Sequence, residues 1–198
     1  MEKNIAILLL AAGSSTRLKE PKQLLDIHGQ PLLLRSVETA YACAEKQTFV
    51  VLGSEFEMHK NLISDLPVKI IQNKSWEKGM GNSIKAGLSY IIKAVAQVEA
   101  VIIMVCDQPL VTTAYLEKMI QKYSDCGKRI IASSYAATLG VPALFHKSIF
   151  PSILQLDDTH GAKMIIESNP EDVETISFPE GAIDIDTSQD YQNFLKIN

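Results

Sequence analysis

An uninterrupted apolar run close to the start of the chain, Ile5-Ala6-Ile7-Leu8-Leu9-Leu10, constrains the fold more than any other stretch. A run of this length that ends in turn residues is typical of a strand buried on both faces. Strands of that kind belong to parallel sheets that carry helices on both sides. We therefore expect a buried first strand, with the residues that follow it at the carboxyl edge of a sheet.

The loop after this strand has the composition of a phosphate-binding turn. Ala11-Ala12-Gly13-Ser14-Ser15 is small enough to let a ligand approach the backbone, and Arg17 and Lys22 add two cations. Consecutive backbone N–H groups in such a turn form a concavity that binds anions. Strand, loop and cations together favour a polyphosphate site. No single residue is diagnostic, so an ordinary strand-to-helix turn followed by two surface cations stays open.

Strand and helix patterns alternate along the rest of the chain, which predicts an α/β fold with a mainly parallel sheet. Apolar runs predict further strands at 48–53, 68–71, 100–106, 129–133 and 173–178, and a loop with a short strand at 140–145. Helical periodicity predicts helices over 31–46, 55–64, 82–96, 112–123, 146–156 and 161–168, and a last helix capped by Thr187 or Ser188. The run at 100–106 is the most apolar, so we expect it at the centre of the sheet. A length of 198 residues, 46% of them apolar, fits a single domain over 1–198.

Composition and charge exclude several function classes. A net charge of −4 without a block of like charges disfavours nucleic acid as a partner, because phosphate-backbone binding needs a concentrated basic surface. The apolar stretches are far shorter than the ~20 residues that span a bilayer, so no membrane partner is expected. The amino terminus lacks the pattern of a signal peptide, and the three cysteines lack metal-ligand spacing. These features predict a cytoplasmic protein.

Carboxylates occur at two places where an open parallel sheet forms its ligand crevice, beyond the carboxyl ends of the strands. Asp107 follows the most apolar strand, and Asp184 and Asp186 precede the last helix. Mg²⁺ binds phosphates together with one or two protein carboxylates, so Asp107 and one late aspartate form a candidate metal site. The two late aspartates would point to opposite faces of a strand, and the choice between them stays open. A turn or helix cap before Pro109 is the alternative for Asp107.

The segment Trp76-Glu77-Lys78-Gly79-Met80-Gly81-Asn82-Ser83-Ile84 is a further candidate binding site. Two glycines before a helix, followed by Asn82 and Ser83, offer donors that favour an anion or a polar base edge. A tight turn with a capping residue accounts for the same residues. Met80 is a candidate flexible wall of a base pocket, and plain packing stays open for it.

Five motifs in this order resemble the molybdenum cofactor cytidylyltransferase family, a branch of the MobA-like nucleotidyltransferases. They are L-x-A-G-x-S-x-R-x-x-x-x-K-x-L at 10–24, G-M-G-x-S-I at 79–84, D-Q-P at 107–109, G-x-P-x-L-F at 140–145 and D-I-D-T at 184–187. The resemblance implies a single Rossmann-like three-layer domain of the nucleotide-diphospho-sugar transferase (GT-A) type. It also implies transfer of a nucleoside monophosphate from an NTP to a phosphorylated acceptor, with release of pyrophosphate.

The resemblance implies roles for residues that match these motifs. The nucleotide-binding residues would be Leu10, Ala11, Ala12, Gly13, Ser14, Lys22, Gly79, Met80, Gly81, Ser83 and Asp107. Arg17, Lys22 and Asp107 would be catalytic, and the two cations would neutralise the triphosphate. Asp107 and Asp186 would hold Mg²⁺. The residues that face the pterin acceptor would be Gln108, Pro109, Gly140, Pro142 and Phe145.

The chain departs from the family pattern at two places and carries two cues to its branch. Lys19 stands where the family has glycine, and the family's G-D-x-G-A segment appears as Leu156-Asp157-Asp158-Thr159-His160-Gly161-Ala162, without the first glycine. Guanylyl-transferring relatives carry L-A-G-G, where this chain has Ala11-Ala12-Gly13. D-Q-P is also more typical of the cytidylyl side, so both cues favour CTP over GTP.

The resemblance therefore implies transfer of CMP from CTP to the terminal phosphate of molybdopterin, with Mg²⁺ as cofactor and transient contact with a molybdoenzyme. A related nucleotidyltransferase that uses GTP, or that acts on a sugar phosphate or methylerythritol phosphate, is one alternative. A non-catalytic chaperone that binds molybdenum cofactor is another. A Rossmann-type dehydrogenase is disfavoured because no G-x-G-x-x-G follows the first strand.

Overall fold

The computed structural model describes residues 4–18, 20–44 and 47–197, so the departure at Lys19 lies outside the described residues. Seven strands in these ranges, β1 to β7, form one sheet: Ile5–Ala11, Thr48–Leu52, Lys69–Gln72, Ala100–Val105, Ile130–Tyr135, Thr138–His146 and Val173–Ser177. The same ranges contain seven α-helices, α1 to α7: Leu32–Ala44, Phe56–Leu62, Met80–Ala94, Thr113–Cys126, Phe150–Leu154, Ala162–Glu167 and Ser188–Ile197.

The sheet has the order β3-β2-β1-β4-β6-β5-β7, so β4 lies at its centre as its apolar sequence predicts. The strands are parallel except β6, which runs antiparallel to β4 and β5. The sequence predicts a loop with a short strand over 140–145, whereas β6 spans Thr138–His146 although Pro142 has no N–H to donate to a sheet. A bulge resolves this, since Ser133 pairs with Gly140 and Ala132 with Ala143, which leaves Pro142 outside the ladder.

Helices cover both faces of the sheet and make a three-layer α/β/α domain, which confirms the predicted fold class. Successive residues of β1 alternate between two buried cores. Helices α1, α4 and α7 pack on the core that contains Ile7 and Leu9, and α3, α5 and α6 pack on the core that contains Leu8 and Leu10. Within the described ranges, no helix combines the length and apolar character needed to cross a bilayer.

Side-chain caps explain where several helices begin. The Thr112 hydroxyl accepts a hydrogen bond from the Tyr115 N–H at the start of α4. At the start of α7 the Thr187 hydroxyl accepts from the Asp190 N–H while the Asp190 carboxylate accepts from the Thr187 N–H, a reciprocal capping box. The helix expected over 146–156 is divided into a 3-10 turn at Lys147–Ile149 and then α5, because Pro151 favours a new first turn.

Candidate active site

A cavity of about 400 Å³ opens at the carboxyl ends of β1 and β4. Leu10 and Val105 pair at this edge of the sheet, so the loops that follow the two strands start side by side. Most of the predicted site residues line this cavity: Leu10, Ala11, Ala12, Gly13, Ser14, Arg17, Lys22, Gly79, Met80, Ser83, Asp107 and Asp186. The structure thus brings residues from four separate motifs to one place.

The Lys22 ammonium bridges two carboxylates inside the cavity. Its Nζ lies 2.8 Å from Asp107 Oδ2 and 2.7 Å from Asp186 Oδ1. The Arg17 guanidinium lies 2.8 Å from the other oxygen of Asp186. The Lys22 side chain is only 15% exposed, whereas that of Arg17 is 67% exposed. Two cations therefore meet two carboxylates at the cavity wall, with Lys22 enclosed and Arg17 at the rim.

The charges in this cluster stabilise one another against burial. Burial by itself lowers the pKa of the Lys22 ammonium, but Asp107 and Asp186 outweigh it and hold that pKa above its ordinary value. Burial by itself raises the pKa of the Asp186 carboxyl, but Lys22 and Arg17 outweigh it and hold that pKa below its ordinary value. Lys22 and Asp186 are thus both charged at neutral pH.

Two hydrogen bonds tie the late segment with Asp186 to the loop after β4. The Ile185 N–H donates to the Asp107 carbonyl oxygen at 2.9 Å, and the Gln108 side-chain amide donates to the Gly181 carbonyl oxygen at 3.0 Å. Ile185 is fully buried, so its neighbours Asp184 and Asp186 point elsewhere. Asp186 reaches Lys22, while Asp184 is exposed and does not line the cavity. Of the two late aspartates, the structure places Asp186 at the site.

Gln23 holds the small-residue loop in shape, a role that the sequence did not reveal. Its side-chain amide donates to the carbonyl oxygens of Ala11 and Gly13, at 3.1 and 2.9 Å. Ser15 accepts from the Lys22 N–H and donates to the Gln23 side-chain oxygen. Gln23 is only 1% exposed, so a polar residue has been buried to fix a loop. The signal that could have identified it is a polar residue directly before two leucines, Leu24 and Leu25.

Gly13 has open space where a side chain would begin. No atom lies within 4 Å of the position that a Cβ would take, and the residue is outside the left-handed backbone region. The fold therefore does not require glycine here. The missing side chain instead enlarges the cavity that Gly13 lines.

A second wall of the cavity comes from the segment before α3. Trp76 and Glu77, which belong to the candidate segment but received no individual role, line the cavity together with Met80 and Ser83 of α3. The Trp76 side chain packs so closely on Gly53 that a Cβ at Gly53 would overlap it. Met80 is 48% exposed at the cavity mouth. An aromatic ring and a flexible thioether facing a charged wall suit a ligand with a flat ring at one end and phosphates at the other.

The structure corrects the role predicted for Gly81. It does not line the cavity, because α3 begins at Met80 rather than at Asn82 and its first turn directs Gly81 toward residues 157–161. A Cβ at Gly81 would overlap the carbonyl oxygens of Asp157 and His160. Gly81 therefore permits close packing of two backbone segments.

The residues predicted to face an acceptor lie outside the cavity lining. Gln108 and Pro109 are buried beside it, and Gln108 contacts Gly181 and Tyr135. A Cβ at Gly140 would overlap the Tyr135 hydroxyl, so this glycine makes room for that ring. Pro142 is buried in the bulge of β6.

The prediction that Phe145 faces the acceptor is wrong. Its side chain has no exposed surface and packs in the core. Phe145 pairs with Val101 near the amino end of β4, whereas the cavity lies at the carboxyl end. Because β6 runs antiparallel to β4, Phe145 at the end of the G-x-P-x-L-F motif lies away from the site. The direction of a strand cannot be deduced from an apolar run.

Cys106 lines the cavity but is not a nucleophile. Burial, reinforced by the neighbouring Asp107, raises the pKa of the Cys106 thiol to about 12. The thiolate that covalent chemistry requires is therefore not populated at neutral pH.

The carboxylates of the cluster fit a divalent cation. Asp107 and Asp186 each place an oxygen within 2.8 Å of Lys22 Nζ, so both can reach one positive ion. Carboxylate oxygens are the ligands that Mg²⁺ and Mn²⁺ prefer. In the part of the chain that the structure describes, no three His, Cys, Asp or Glu side chains gather as a metal site. Two carboxylates suit a cation whose other ligands are phosphate oxygens and water.

The fold and this cavity define a class of protein, an α/β enzyme whose cavity at the carboxyl edge of the sheet brings cations and carboxylates together. The sequence profile of the MobA-like NTP transferase domain matches residues 7–173, and the chain belongs to that family of nucleotidyltransferases. The predicted family resemblance is therefore confirmed at the level of the MobA-like family.

Relatives with assigned names are distant and differ in activity. A probable molybdenum cofactor guanylyltransferase of Flavobacterium johnsoniae is 22% identical over 82% of this chain and 80% of its own. Nicotine blue oxidoreductase of Paenarthrobacter nicotinovorans is 24% identical over 95% of both chains. The bifunctional protein GlmU of Halorhodospira halophila is 30% identical over 61% of this chain, which spans only 25% of that relative.

Solved structures share the whole fold. Rv0371c of Mycobacterium tuberculosis H37Rv has a TM-score of 0.82 and 23% identity over 99% of this chain and 100% of its own. The same protein in complex with manganese has a TM-score of 0.78 and 22% identity over 98% and 99%. CMP:2-keto-3-deoxy-manno-octonic acid synthetase complexed with CTP has a TM-score of 0.77 and 14% identity over 98% of both chains.

Proposed function

We propose that this protein transfers CMP from CTP to the terminal phosphate of molybdopterin, as free or molybdenum-loaded cofactor, and releases pyrophosphate. The observation that carries the proposal is the contact of Lys22 with both Asp107 and Asp186 inside the cavity. This contact brings a cation and two carboxylates together at the carboxyl edge of the sheet. Groups of these kinds bind and activate a triphosphate. The relative named molybdenum cofactor guanylyltransferase supports a pterin acceptor.

Ala12 supports CTP as the donor. Ala12 lines the cavity, at the position where guanylyl-transferring relatives carry the first glycine of L-A-G-G. A wall that is narrower by one methyl group favours the smaller base. The fold neighbour that was solved with CTP is consistent with this choice.

The proposed chemistry is direct in-line attack of the acceptor phosphate on the α-phosphorus of CTP. A phosphate monoester is already anionic at neutral pH, so no general base is needed. Catalysis then rests on positioning, which can contribute up to ~7–11 kcal/mol when the reacting groups are held near attack distance. Lys22 and Arg17 would stabilise the pyrophosphate leaving group, and Gln23 would keep the loop around the triphosphate in shape.

Asp107 and Asp186 would hold a divalent cation, which we propose to be Mg²⁺. The cation would stabilise negative charge that develops on the phosphate oxygens. Because Lys22 contacts both carboxylates in this structure, its ammonium must turn from them to the phosphates as the site fills. The side chain thus has two sets of anionic partners within its reach, one in the protein and one in the substrate.

A cytoplasmic location and a molybdoenzyme as the recipient of the product belong to the same proposal. Free thiols at Cys43, Cys106 and Cys126 support a reducing compartment.

The test is pyrophosphate release from CTP, GTP, ATP and UTP, each with Mg²⁺ and with one candidate acceptor. The acceptors are molybdopterin, a sugar phosphate and methylerythritol phosphate. We expect release with CTP and molybdopterin and at least tenfold less with the other pairs. Release with another pair would assign the alternative nucleotidyltransferase, and molybdopterin binding without release would assign the non-catalytic chaperone.

A further inference from the structure

The loop formed by residues 157–161 packs against the first turn of α3 through one carboxylate. The Asp158 carbonyl oxygen accepts from the Asn82 N–H at 3.2 Å, and its carboxylate accepts from the Asn82 side-chain amide at 3.2 Å. The same carboxylate lies 2.6 Å from the Lys85 ammonium, which also donates to the Leu156 carbonyl oxygen. Asp158 therefore binds α3 at a backbone N–H and at two side chains.

The backbones of the two segments meet without intervening side chains. A Cβ at Gly79 would overlap the Asp158 carbonyl group, and a Cβ at Gly81 would overlap the carbonyl oxygen of Asp157. On the loop, a Cβ at Gly161 would lie 2.9 Å from the Met80 sulfur. Three glycines thus allow a contact in which a movement of the loop displaces the helix start directly.

This first turn carries part of the cavity wall. Gly79, Met80 and Ser83 line the cavity, whereas Asn82, Lys85 and Asp158 do not. The contacts of Asp158 therefore lie outside the lining of the cavity. A carboxylate in that position acts on a ligand only through the placement of α3.

We propose that Asp158 is a positioning residue for the nucleoside triphosphate: through Asn82 and Lys85 it fixes the first turn of α3, and with it Met80 and Ser83. The inference rests on the proposed function only in that the cavity binds a nucleoside triphosphate. Contacts to the nucleoside are made equally before and during phosphoryl transfer. Their loss therefore raises KM and leaves kcat unchanged.

Trp76 provides a readout of nucleotide binding that is independent of turnover. It is the only tryptophan of the chain and it lines the cavity. Titration of its fluorescence with CTP in the absence of acceptor gives a Kd. For Asp158→Asn, which keeps an acceptor oxygen but loses the ion pair, we expect Kd and KM to rise about tenfold, with kcat within about twofold of the wild type. Glu174→Gln breaks a carboxylate–lysine pair far from the cavity and should leave Kd and KM unchanged.

A matched pair of glycine substitutions tests the same contact without touching a charge. Gly81→Ala adds a methyl group against the 157–161 loop, outside the lining of the cavity, and should raise Kd several-fold. Gly87→Ala adds the same group to the same helix, where it meets the side chain of Leu8 in the core. It should lower Tm and leave Kd unchanged. If Asp158→Asn does not fold, the Kd values of Gly81→Ala and Gly87→Ala are compared instead, and a rise in Gly81→Ala alone supports the positioning role.

The outcomes separate this inference from the proposed function. A wild-type protein whose Trp76 fluorescence responds to no nucleoside triphosphate would overturn the proposed function. A wild type that binds CTP, together with Asp158→Asn and Gly81→Ala variants that bind it with unchanged Kd and only a lower Tm, would overturn the positioning role and leave the function intact.

Discussion

The Lys22 ammonium contacts the Asp107 carboxylate at 2.8 Å although 85 residues separate the two along the chain. The same ammonium contacts Asp186 at 2.7 Å, across 164 residues. One cation therefore holds together the two carboxylates that we propose as metal ligands. In this proposal Lys22 and a free metal ion would compete for the same oxygens, which has a measurable consequence.

Replacement of Lys22 by methionine should increase the affinity for free Mn²⁺ in the absence of nucleotide. The ammonium neutralises the carboxylates that the metal needs, so we expect a gain of about tenfold or more once this unit charge is removed. Electron paramagnetic resonance of Mn²⁺ measures the free ion directly. Lys163→Met, which alters an exposed pair with Glu167, serves as the control. Equal Mn²⁺ affinity in all three proteins would show that Lys22 does not compete with the metal.

The Asp107→Asn substitution should abolish most of the turnover without unfolding the protein. It keeps the shape of the side chain and removes a charge at the cation position, so we expect kcat/KM to fall at least a hundredfold. Pyrophosphate release measures the rate, and circular dichroism checks the fold. Asp184→Asn is the matched control, since Asp184 is exposed and does not line the cavity. A folded Asp107→Asn variant with a near-normal rate would remove Asp107 from the catalytic site.

A Gly13→Ala substitution should change nucleotide binding but not stability. A Cβ there has no neighbour within 4 Å and would occupy space in the cavity. We expect an unchanged Tm and a KM for CTP that rises several-fold. Gly127→Ala should show the reverse pattern, because Gly127 has φ +67° at the end of α4, where a side chain costs about 1 kcal/mol. A Gly13→Ala variant with normal KM would indicate that the nucleotide does not approach this loop.

The lowered pKa of Asp186 predicts a pH-dependent stability difference. Lys22 and Arg17 hold the pKa of the carboxyl in the folded protein below its value in the unfolded chain, against the opposing effect of burial. The stability contributed by the charged carboxylate is therefore fully present above about pH 5 and is lost as the pH falls through the lowered pKa. Asp186→Asn should unfold more readily than the wild type at pH 7, and the deficit should shrink in acid. Urea denaturation at pH 7, 4 and 3 measures it. A deficit that stays constant over this range would contradict the charge-based origin.

The features that could be predicted from the sequence have a local cause, or follow from the rule that parallel strands end at the same edge of a sheet. The apolar run at 100–106 correctly placed β4 at the centre, and Thr187 caps α7 as its hydroxyl suggests. Arg17, Lys22 and Asp107 converge with Asp186 because parallel strands end at one edge. These predictions required only local sequence patterns and topology, except that the choice of Asp186 over Asp184 came from the family resemblance.

What the sequence did not predict depends on contacts between distant segments. The antiparallel direction of β6 removed Phe145 from the site, and a buried apolar run gives no sign of its direction. Gly79 and Gly81 were assigned to a ligand, but Gly81 lies in the first turn of α3 and makes room for residues 157–161, about 80 positions further along the chain. A glycine shows that space is needed, and only the fold shows which group fills it.

The long separation between Lys22 and Asp186 also orders events during synthesis. At ~5–20 residues per second, on the order of ten to thirty seconds pass between the appearance of these two residues on the ribosome. For the first 85 residues of that interval the nascent chain carries Arg17 and Lys22 without either carboxylate, and after that it carries Asp107 but still lacks Asp186. A partly made chain therefore holds an unbalanced cationic loop, and its charge is neutralised only when the segment with Asp186 docks.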